Sequence, residues 1–99
     1  MKFFIFYFIL FQASAYSSET SLPGNVSNIT SIREGLLIIL DTGKPSGCTQ
    51  GTGWMLIKQE NTTMISVALA SYMAGNKAAT IYVAPGPGSY CEITQFDPS

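Results

Sequence analysis

The chain has 99 residues, a formal net charge of −1 and only 11% charged residues. A chain of this length holds one domain. Without a basic patch or a Lys/Arg-rich amphipathic helix, it lacks the electrostatics of a nucleic-acid or anionic-lipid binder. Because charges are so few, we expect a surface of Ser, Thr, Asn, Gln and Gly, which suits neutral polar ligands or protein contacts.

The first 15 residues have the features of a secretory signal peptide. Lys2 precedes the apolar residues 3–11, and Ala13-Ser14-Ala15 fits the small-residue cleavage pattern. The apolar run is shorter than the roughly 20 residues that cross a bilayer, and no later stretch is long enough. We therefore expect cleavage after Ala15, no membrane span in the mature chain, and a secreted or periplasmic location. Residues 16–24 are predicted to be a flexible leader, and residues 25–97 a single domain.

Three strands are predicted next. The first begins at Asn25, where the imperfect alternation of Val26, Ile29 and Ile32 suggests a bulge. Residues 36–40 form a continuous aliphatic run, which is typical of a strand buried on both faces. Residues 41–53 are predicted to be a loop, flexible after Cys48 because of its glycines. Residues 54–58 form the third strand.

Residues 64–74 are predicted to form a helix that is buried on almost every side, because they carry no charge and few polar groups. A side-chain oxygen of Asn61, Thr62 or Thr63 is expected to cap its start, and Gly75 to end it. Two helix faces emerge from the spacing: Ile65, Leu69, Tyr72 and Met73 on one, and the small residues Ser66, Ala70 and Ala74 on the other. The small-residue stripe fits either the chain's own sheet or the helix of a second copy.

Two further strands, residues 78–83 and 89–96, follow the helix. Simple alternation places Phe96 on the opposite side of the last strand from Cys91 and Ile93. An even cysteine count in an exported chain favours a disulfide between Cys48 and Cys91 over free or metal-bound thiols. Closing the loop between Cys48 and Cys91 stabilises the fold by roughly 3–4 kcal/mol in the chain-entropy model.

The residues available for catalysis are few. The sequence contains no histidine, so it cannot build a Ser-His or Cys-His nucleophile pair, and the commonest metal ligand is missing. Its carboxylates are scattered, and a two-carboxylate glycosidase site is the weakest alternative. We therefore expect a protein that is not an enzyme and that needs no cofactor or metal.

Aromatic residues with polar neighbours are the candidate ligand-binding residues, because rings stack on sugars or peptides while nearby groups form hydrogen bonds. Trp54 follows a glycine-bearing loop, and Tyr82 and Tyr90 lie in or next to the last two strands. A core tryptophan beneath the loop is the alternative for Trp54. Tyr72 is expected to serve packing.

Residues 64–75, followed by Ala79-Thr80-Ile81-Tyr82-Val83, resemble the centre of Shiga-toxin-type B subunits. There a tryptophan-bearing strand also leads to a Ser- and Leu-rich helix, a glycine and a Thr-Ile strand. The chain also resembles small secreted bacterial proteins of unassigned role, which have similar spacings from the first cysteine to the tryptophan (Cys48 to Trp54 here) and from the glycine to the second cysteine (Gly75 to Cys91). Trp54 lies farther from the helix than in the Shiga-type subunit, and Cys48 follows the second strand rather than the amino terminus.

The resemblance implies an α+β, mainly β fold: a small OB-like five-stranded barrel with one helix between strands 3 and 4 and one disulfide. It also implies glycan binding at a cell surface and a homo-pentameric ring, in which Ser66, Ala70 and Ala74 would line the helix–helix contacts. The leading hypothesis is a secreted, non-catalytic binding module for a cell-surface glycan or protein. The alternative is a monomeric periplasmic or secreted protein, either structural or an inhibitor that inserts residues 44–52 or 85–90 into an enzyme.

Overall fold

The structure, a computed structural model, describes residues 19–86 and 88–99. The predicted signal peptide, residues 1–15, lies outside this range. The described residues form five strands and one helix: β1 Ser21–Ile32, β2 Gly35–Leu40, β3 Met55–Lys58, α1 Thr62–Met73, β4 Ala78–Ala84 and β5 Cys91–Pro98. The fold is mainly β, as predicted, with the helix between the third and fourth strands.

The five strands join in a closed ring in the order β1-β2-β3-β5-β4, with β4 returning to β1. Every pairing is antiparallel except β3 with β5, which is parallel and matches Met55 with Cys91. The long β1 pairs with β4 over its first half and with β2 over its second half. A register shift between Val26 and Asn28 marks the change of partner, which confirms the predicted bulge.

β1 begins at Ser21 rather than at the expected Asn25. Ser21 pairs with Tyr82, and the pairing with β4 continues through Pro23 to Asn25. The prediction of no regular structure is therefore wrong for residues 21–24; residues 16–18 of that leader lie outside the described range. Pro and Gly locally disfavour a strand, and here the partner strand β4 overrides that preference.

The core is apolar and fills the inside of the ring. Its buried members are Val26, Leu36, Ile38, Leu40, Cys48, Met55, Ile57, Ala68, Ala79, Ile81, Val83, Cys91, Ile93 and Phe96. Leu37 and Leu56 pair with each other across β2 and β3 and point away from this cluster, yet they are only 4% and 1% exposed. The prediction that residues 36–40 are buried on both faces is confirmed, apart from the partly exposed Ile39.

A bulge in β5 changes which side chains face the core. Val83 pairs with Ile93 and Tyr82 with Gln95, so Thr94 is left between the two pairs. The extra residue moves Phe96 to the side of Ile93, where it is buried in the core. The alternation predicted for β5 is therefore wrong after Ile93, because a bulge shifts side-chain direction by one residue.

The disulfide between Cys48 and Cys91 is confirmed, with a Cα–Cα distance of 5.9 Å. It joins the loop after β2 to the first residue of β5, and both cysteines are buried. The bond fixes this loop against the start of the only parallel strand pair in the described ring.

Helix α1 begins at Thr62 and ends at Met73, within two residues of the prediction. Asn61 occupies the N-cap position, but its side chain does not cap the helix, so the predicted capping bond is absent there. Gly75 has a φ of +87°, and the N–H of Asn76 donates to the carbonyl of Ser71 at 3.0 Å. This is the glycine-terminated helix end that the sequence predicts.

Within a single chain, the helix is not buried on almost every side, so that expectation is wrong for one copy. Ala68 is its one fully buried residue, and Met64, Ile65 and Tyr72 pack against the core beside it. Met73 is 80% exposed and Leu69 38%, so these two do not share the buried side with Ile65 and Tyr72. The ring offers the helix one contact side, and the small Ala68 at the centre lets the helix backbone come close.

Candidate functional site

The outward side of α1 is an uncharged, uncovered surface. It comprises Ser66, Val67, Leu69, Ala70, Met73 and Ala74, all of which are exposed, and we call it the helix face. The Ser66 hydroxyl donates back to the Thr62 carbonyl at 2.9 Å, which satisfies the hydroxyl within the helix. The helix face therefore presents methyl, thioether and methylene groups to its surroundings.

The small residues of the helix face have a geometric consequence. Ser66, Ala70 and Ala74 follow at four-residue intervals and form one row along the helix. The separation of packed helices depends on the side chains at their contact, so this row permits a close approach. Leu69 and Met73 flank the row and would fill the space beside it.

Trp54 and Tyr90 lie just before β3 and β5, the two strands that pair in parallel. They immediately precede Met55 and Cys91, which are paired in the parallel β3–β5 ladder. Residues in the same register of parallel strands stand side by side, and both rings are half-buried. The structure thus places two of the three predicted ligand-binding aromatics just before β3 and β5, two strands that pair in parallel, and Trp54 is partly rather than fully buried.

Two adjoining grooves extend from Tyr90 across the outside of the ring. One, of about 350 Å³, is lined by Tyr90, Ser89, Leu56 and Glu34 among others. The second, of about 480 Å³, shares Leu56 and Glu34 with the first and extends to Lys58. An ion pair between Lys58 and Glu92 at 3.4 Å stands beside them. Leu56 itself is only 1% exposed, so the partly exposed Ile32 and Tyr90 provide the apolar part of this surface, with charged groups at its sides.

Tyr82 lies apart from the other two aromatics. It is on the outward side of β4, between Ser21 of β1 and Gln95 of β5, and it is half-buried. The hydroxyl of Thr94 donates to its carbonyl oxygen at 3.3 Å. Tyr82 therefore lies beside Gln95, five residues along β5 from Tyr90, and the three candidates do not form a single site.

Gln50 ties two loops together, a role that sequence reasoning missed. Its side-chain Nε2 donates to the carbonyls of Gly86, at 2.9 Å, and Gly88, at 2.8 Å. Its Oε1 accepts the N–H of Gly86 at 3.0 Å. Together with the nearby disulfide, these bonds hold a segment that the sequence had suggested to be flexible.

The two loops also meet at Gly51. Gly51 has a φ of +75°, and a Cβ there would collide with the carbonyl oxygen of Ser89. Lys44 secures the same segment, since its Nζ donates to the carbonyls of Gln50 at 2.8 Å and Gly51 at 3.1 Å. Residues 44–52 are thus joined to Gly86, Gly88 and Ser89 of the second loop.

Asp41 fastens β1 to the end of β2. Its Oδ1 accepts the N–H of Asn25 at 2.9 Å, and its Oδ2 accepts the Asn25 side-chain amide at 3.2 Å. These donors, the backbone N–H foremost, favour the ionised carboxylate and hold the pKa of Asp41 below its ordinary value of 3.8. Asp41 is fully solvent-exposed, so its contribution is that of a surface anchor.

Within residues 19–86 and 88–99, no helix is long and apolar enough to cross a membrane. Comparison with protein-family models, with curated proteins and with solved structures found no match.

Proposed function

We propose that this protein is a secreted or periplasmic, non-catalytic binding module that binds a glycan or protein at a cell surface and assembles into a homo-oligomer through its helix. The buried disulfide Cys48–Cys91 supports export, because such bonds persist in oxidising compartments. The signal peptide and the Shiga-toxin-B-like resemblance are sequence predictions that belong to the same proposal.

An OB-like barrel is the fold that we propose for the ring. The strand order β1-β2-β3-β5-β4, with a helix between β3 and β4, supports it. OB folds are five-stranded barrels that bind extended ligands such as oligosaccharides on their surface. Fold similarity alone does not assign a ligand, so the proposal depends on the surfaces described above.

The uncovered helix face is the observation that carries the proposal. A monomer that used the Ser66, Ala70 and Ala74 row for its own packing would bury it, and all three residues are exposed. Met73 is 80% exposed beside this row. The same helix of a second copy can pack against this row, because small residues on both helices allow close contact. A pentameric ring with the helices around its axis is the form that we propose.

The Trp54–Tyr90 surface is the proposed ligand site. Trp54 and Tyr90 are both half-buried, so each ring can offer a face for stacking, and the groove beside Tyr90 adds the partly exposed Ile32 with Glu34 at its side. Aromatic faces with nearby polar groups suit sugars and protein side chains alike. A pentamer would carry one such surface on each subunit. Binding through several of these surfaces at once would raise the overall affinity well above the weak affinity of a single surface.

A glycan array with the processed wild-type protein tests this function. Trp54→Ala and Tyr90→Ala should each abolish the signal, whereas Tyr82→Ala, which alters the separate surface on β4, should retain it. Far-UV circular dichroism of each variant shows whether the strands and the helix of the subunit still form. An array without any bound glycan, together with no binding to intact cells, would contradict the proposal.

A monomeric inhibitor is the second candidate, and the joined loops favour it. Gln50 and the disulfide join residues 44–52 to Gly86 and Gly88 of the second loop, and a preorganised loop loses less entropy on entering an enzyme cleft. A screen against secreted proteases and lysozymes tests this alternative. Inhibition that disappears in Gln50→Ala would favour it over the glycan-binding module.

A further inference from the structure

A separate groove runs between the start of α1 and β5. It has a volume of about 470 Å³, and its lining includes Thr62 and Thr63 of the helix and Thr94 and Gln95 of β5. Ligand pockets in proteins range from about 300 to 1,000 Å³, so this groove has room for one or two sugar rings. We call it the helix–strand groove.

The walls of this groove offer neutral hydrogen-bonding groups. The side chains of Thr63 and Gln95 are exposed and make no hydrogen bond with another described residue. The first turn of an α-helix also has N–H groups without a partner in the helix, and the Asn61 side chain caps none of them. Donors and acceptors thus stand side by side, as a ligand with several hydroxyl groups requires.

The floor of the helix–strand groove is apolar. Met64 and Val67 contribute from the helix, and Phe96, which is 8% exposed, contributes from β5. Sugar rings present carbon-bound hydrogens on one side and hydroxyls around the edge, so they match an apolar floor with polar walls. A purely apolar ligand would leave the wall groups without partners, which costs binding energy.

The charge of the groove narrows the ligand class. Glu60 is its one charged lining residue, and its carboxylate accepts hydrogen bonds from hydroxyls. The same negative charge repels sulfated or sialylated sugars. The lining therefore fits a neutral saccharide better than an anionic one.

We infer that the helix–strand groove binds a neutral mono- or disaccharide, as a second site separate from Trp54 and Tyr90. The inference deepens the proposed glycan-binding function and rests on it for the ligand class, but it uses a different set of residues. Val67 belongs both to this groove and to the helix face, so the groove opens next to the proposed subunit contact.

Amide chemical shifts of the 15N-labelled processed protein test the inference. Methyl β-galactoside, methyl α-mannoside, N-acetylglucosamine and lactose are titrated in turn, with sialyllactose as the anionic comparison. We expect at least one neutral sugar to shift residues 62–64 and 94–96 with a Kd of about 1 mM, a weak affinity for an open groove. Sialyllactose should bind this groove more weakly than lactose.

Two matched variants assign the site. Gln95→Ala should weaken binding about fivefold or more, because it removes one amide from the wall. Asn28→Ala, which also removes a side-chain amide but at an exposed residue of β1 outside the grooves, should leave the affinity unchanged. Thr63→Arg, which fills the groove from an exposed helix position, should abolish the shifts.

The outcomes separate this inference from the proposed function. Shifts confined to the neighbours of Trp54 and Tyr90 would overturn the second site and support the first. Shifts at residues 62–64 and 94–96 that persist in Trp54→Ala support the second site independently. No shift with any sugar at tens of millimolar, or stronger binding of sialyllactose than of lactose at the groove, would overturn the inference.

Discussion

The side chain of Gln50 and the backbone of Gly86 exchange two hydrogen bonds. Nε2 of Gln50 donates to the Gly86 carbonyl at 2.9 Å, and the Gly86 N–H donates to Oε1 at 3.0 Å. The two residues are separated by 36 positions, so this pair joins the loop after β2 to the loop before β5. It lies next to the disulfide and supports the same junction.

Gln50→Ala should destabilise the fold by about 1–3 kcal/mol, because partly buried backbone groups of Gly86 lose their partners. Urea unfolding followed by circular dichroism measures the change. Gln50→Glu is the matched comparison: it retains an oxygen acceptor for the Gly86 N–H but sets a charged oxygen against the carbonyls of Gly86 and Gly88, so its loss should be at least as large as that of Gln50→Ala. Equal stability of Gln50→Ala and wild type would show that this pair does not hold the loops.

Removal of the disulfide should destabilise the fold more than Gln50→Ala does. The double variant Cys48→Ala, Cys91→Ala should unfold about 3–4 kcal/mol more easily, since the unfolded chain regains the freedom of a long open loop. Thermal unfolding with and without dithiothreitol provides the measurement. Reductant should lower the Tm of the wild type and leave that of the double variant unchanged; an unaffected wild type would contradict this prediction.

The stability of the fold should respond to acid through Asp41. Because its pKa is lowered in the folded state, its contribution is complete above the unfolded value of 3.8 and disappears as the pH falls through the lower folded value. Asp41→Asn should therefore show a smaller loss of stability below pH 3.8 than the wild type. Urea unfolding at a series of acidic pH values tests this, and parallel curves for the two proteins would refute it.

Ala68 and Ala70 provide a matched pair of substitutions on α1. Ala68 is fully buried against the ring, so Ala68→Leu should cost about 1–3 kcal/mol through overpacking. Ala70 is exposed on the helix face, so Ala70→Leu should leave the stability of the monomer within about 0.5 kcal/mol of wild type. Chemical unfolding at low protein concentration makes the comparison, and the reverse order would mean that the helix is rotated.

Several elements follow from local sequence alone. The continuous aliphatic run of β2 predicts a buried strand without reference to any partner. Gly75 ends the helix because it adopts a positive φ. The pairing of Cys48 with Cys91 follows from an even cysteine count in a chain that the sequence predicts to be exported. These features need only local chemistry or the number of cysteines.

Other features depend on tertiary partners. The outward direction of Leu69 and Met73 could not be read from α1, because a helix that is apolar all round has no polar side to mark its orientation. The early start of β1 at Ser21 requires β4 as a partner. The link from Gln50 to Gly86 joins residues far apart in sequence, and the bulge at Thr94 reverses an alternation that looked regular.

Native mass spectrometry of the processed protein at micromolar concentration tests the central claim, that the helix face is covered by further copies of this chain. The account predicts a mass five times that of one chain for the wild type and for Ala70→Ser, which keeps the small side chain. Ala70→Glu should give a folded monomer, because it places charges in the helix contacts. A wild-type monomer at every concentration, or an oligomer that Ala70→Glu leaves intact, would contradict the account.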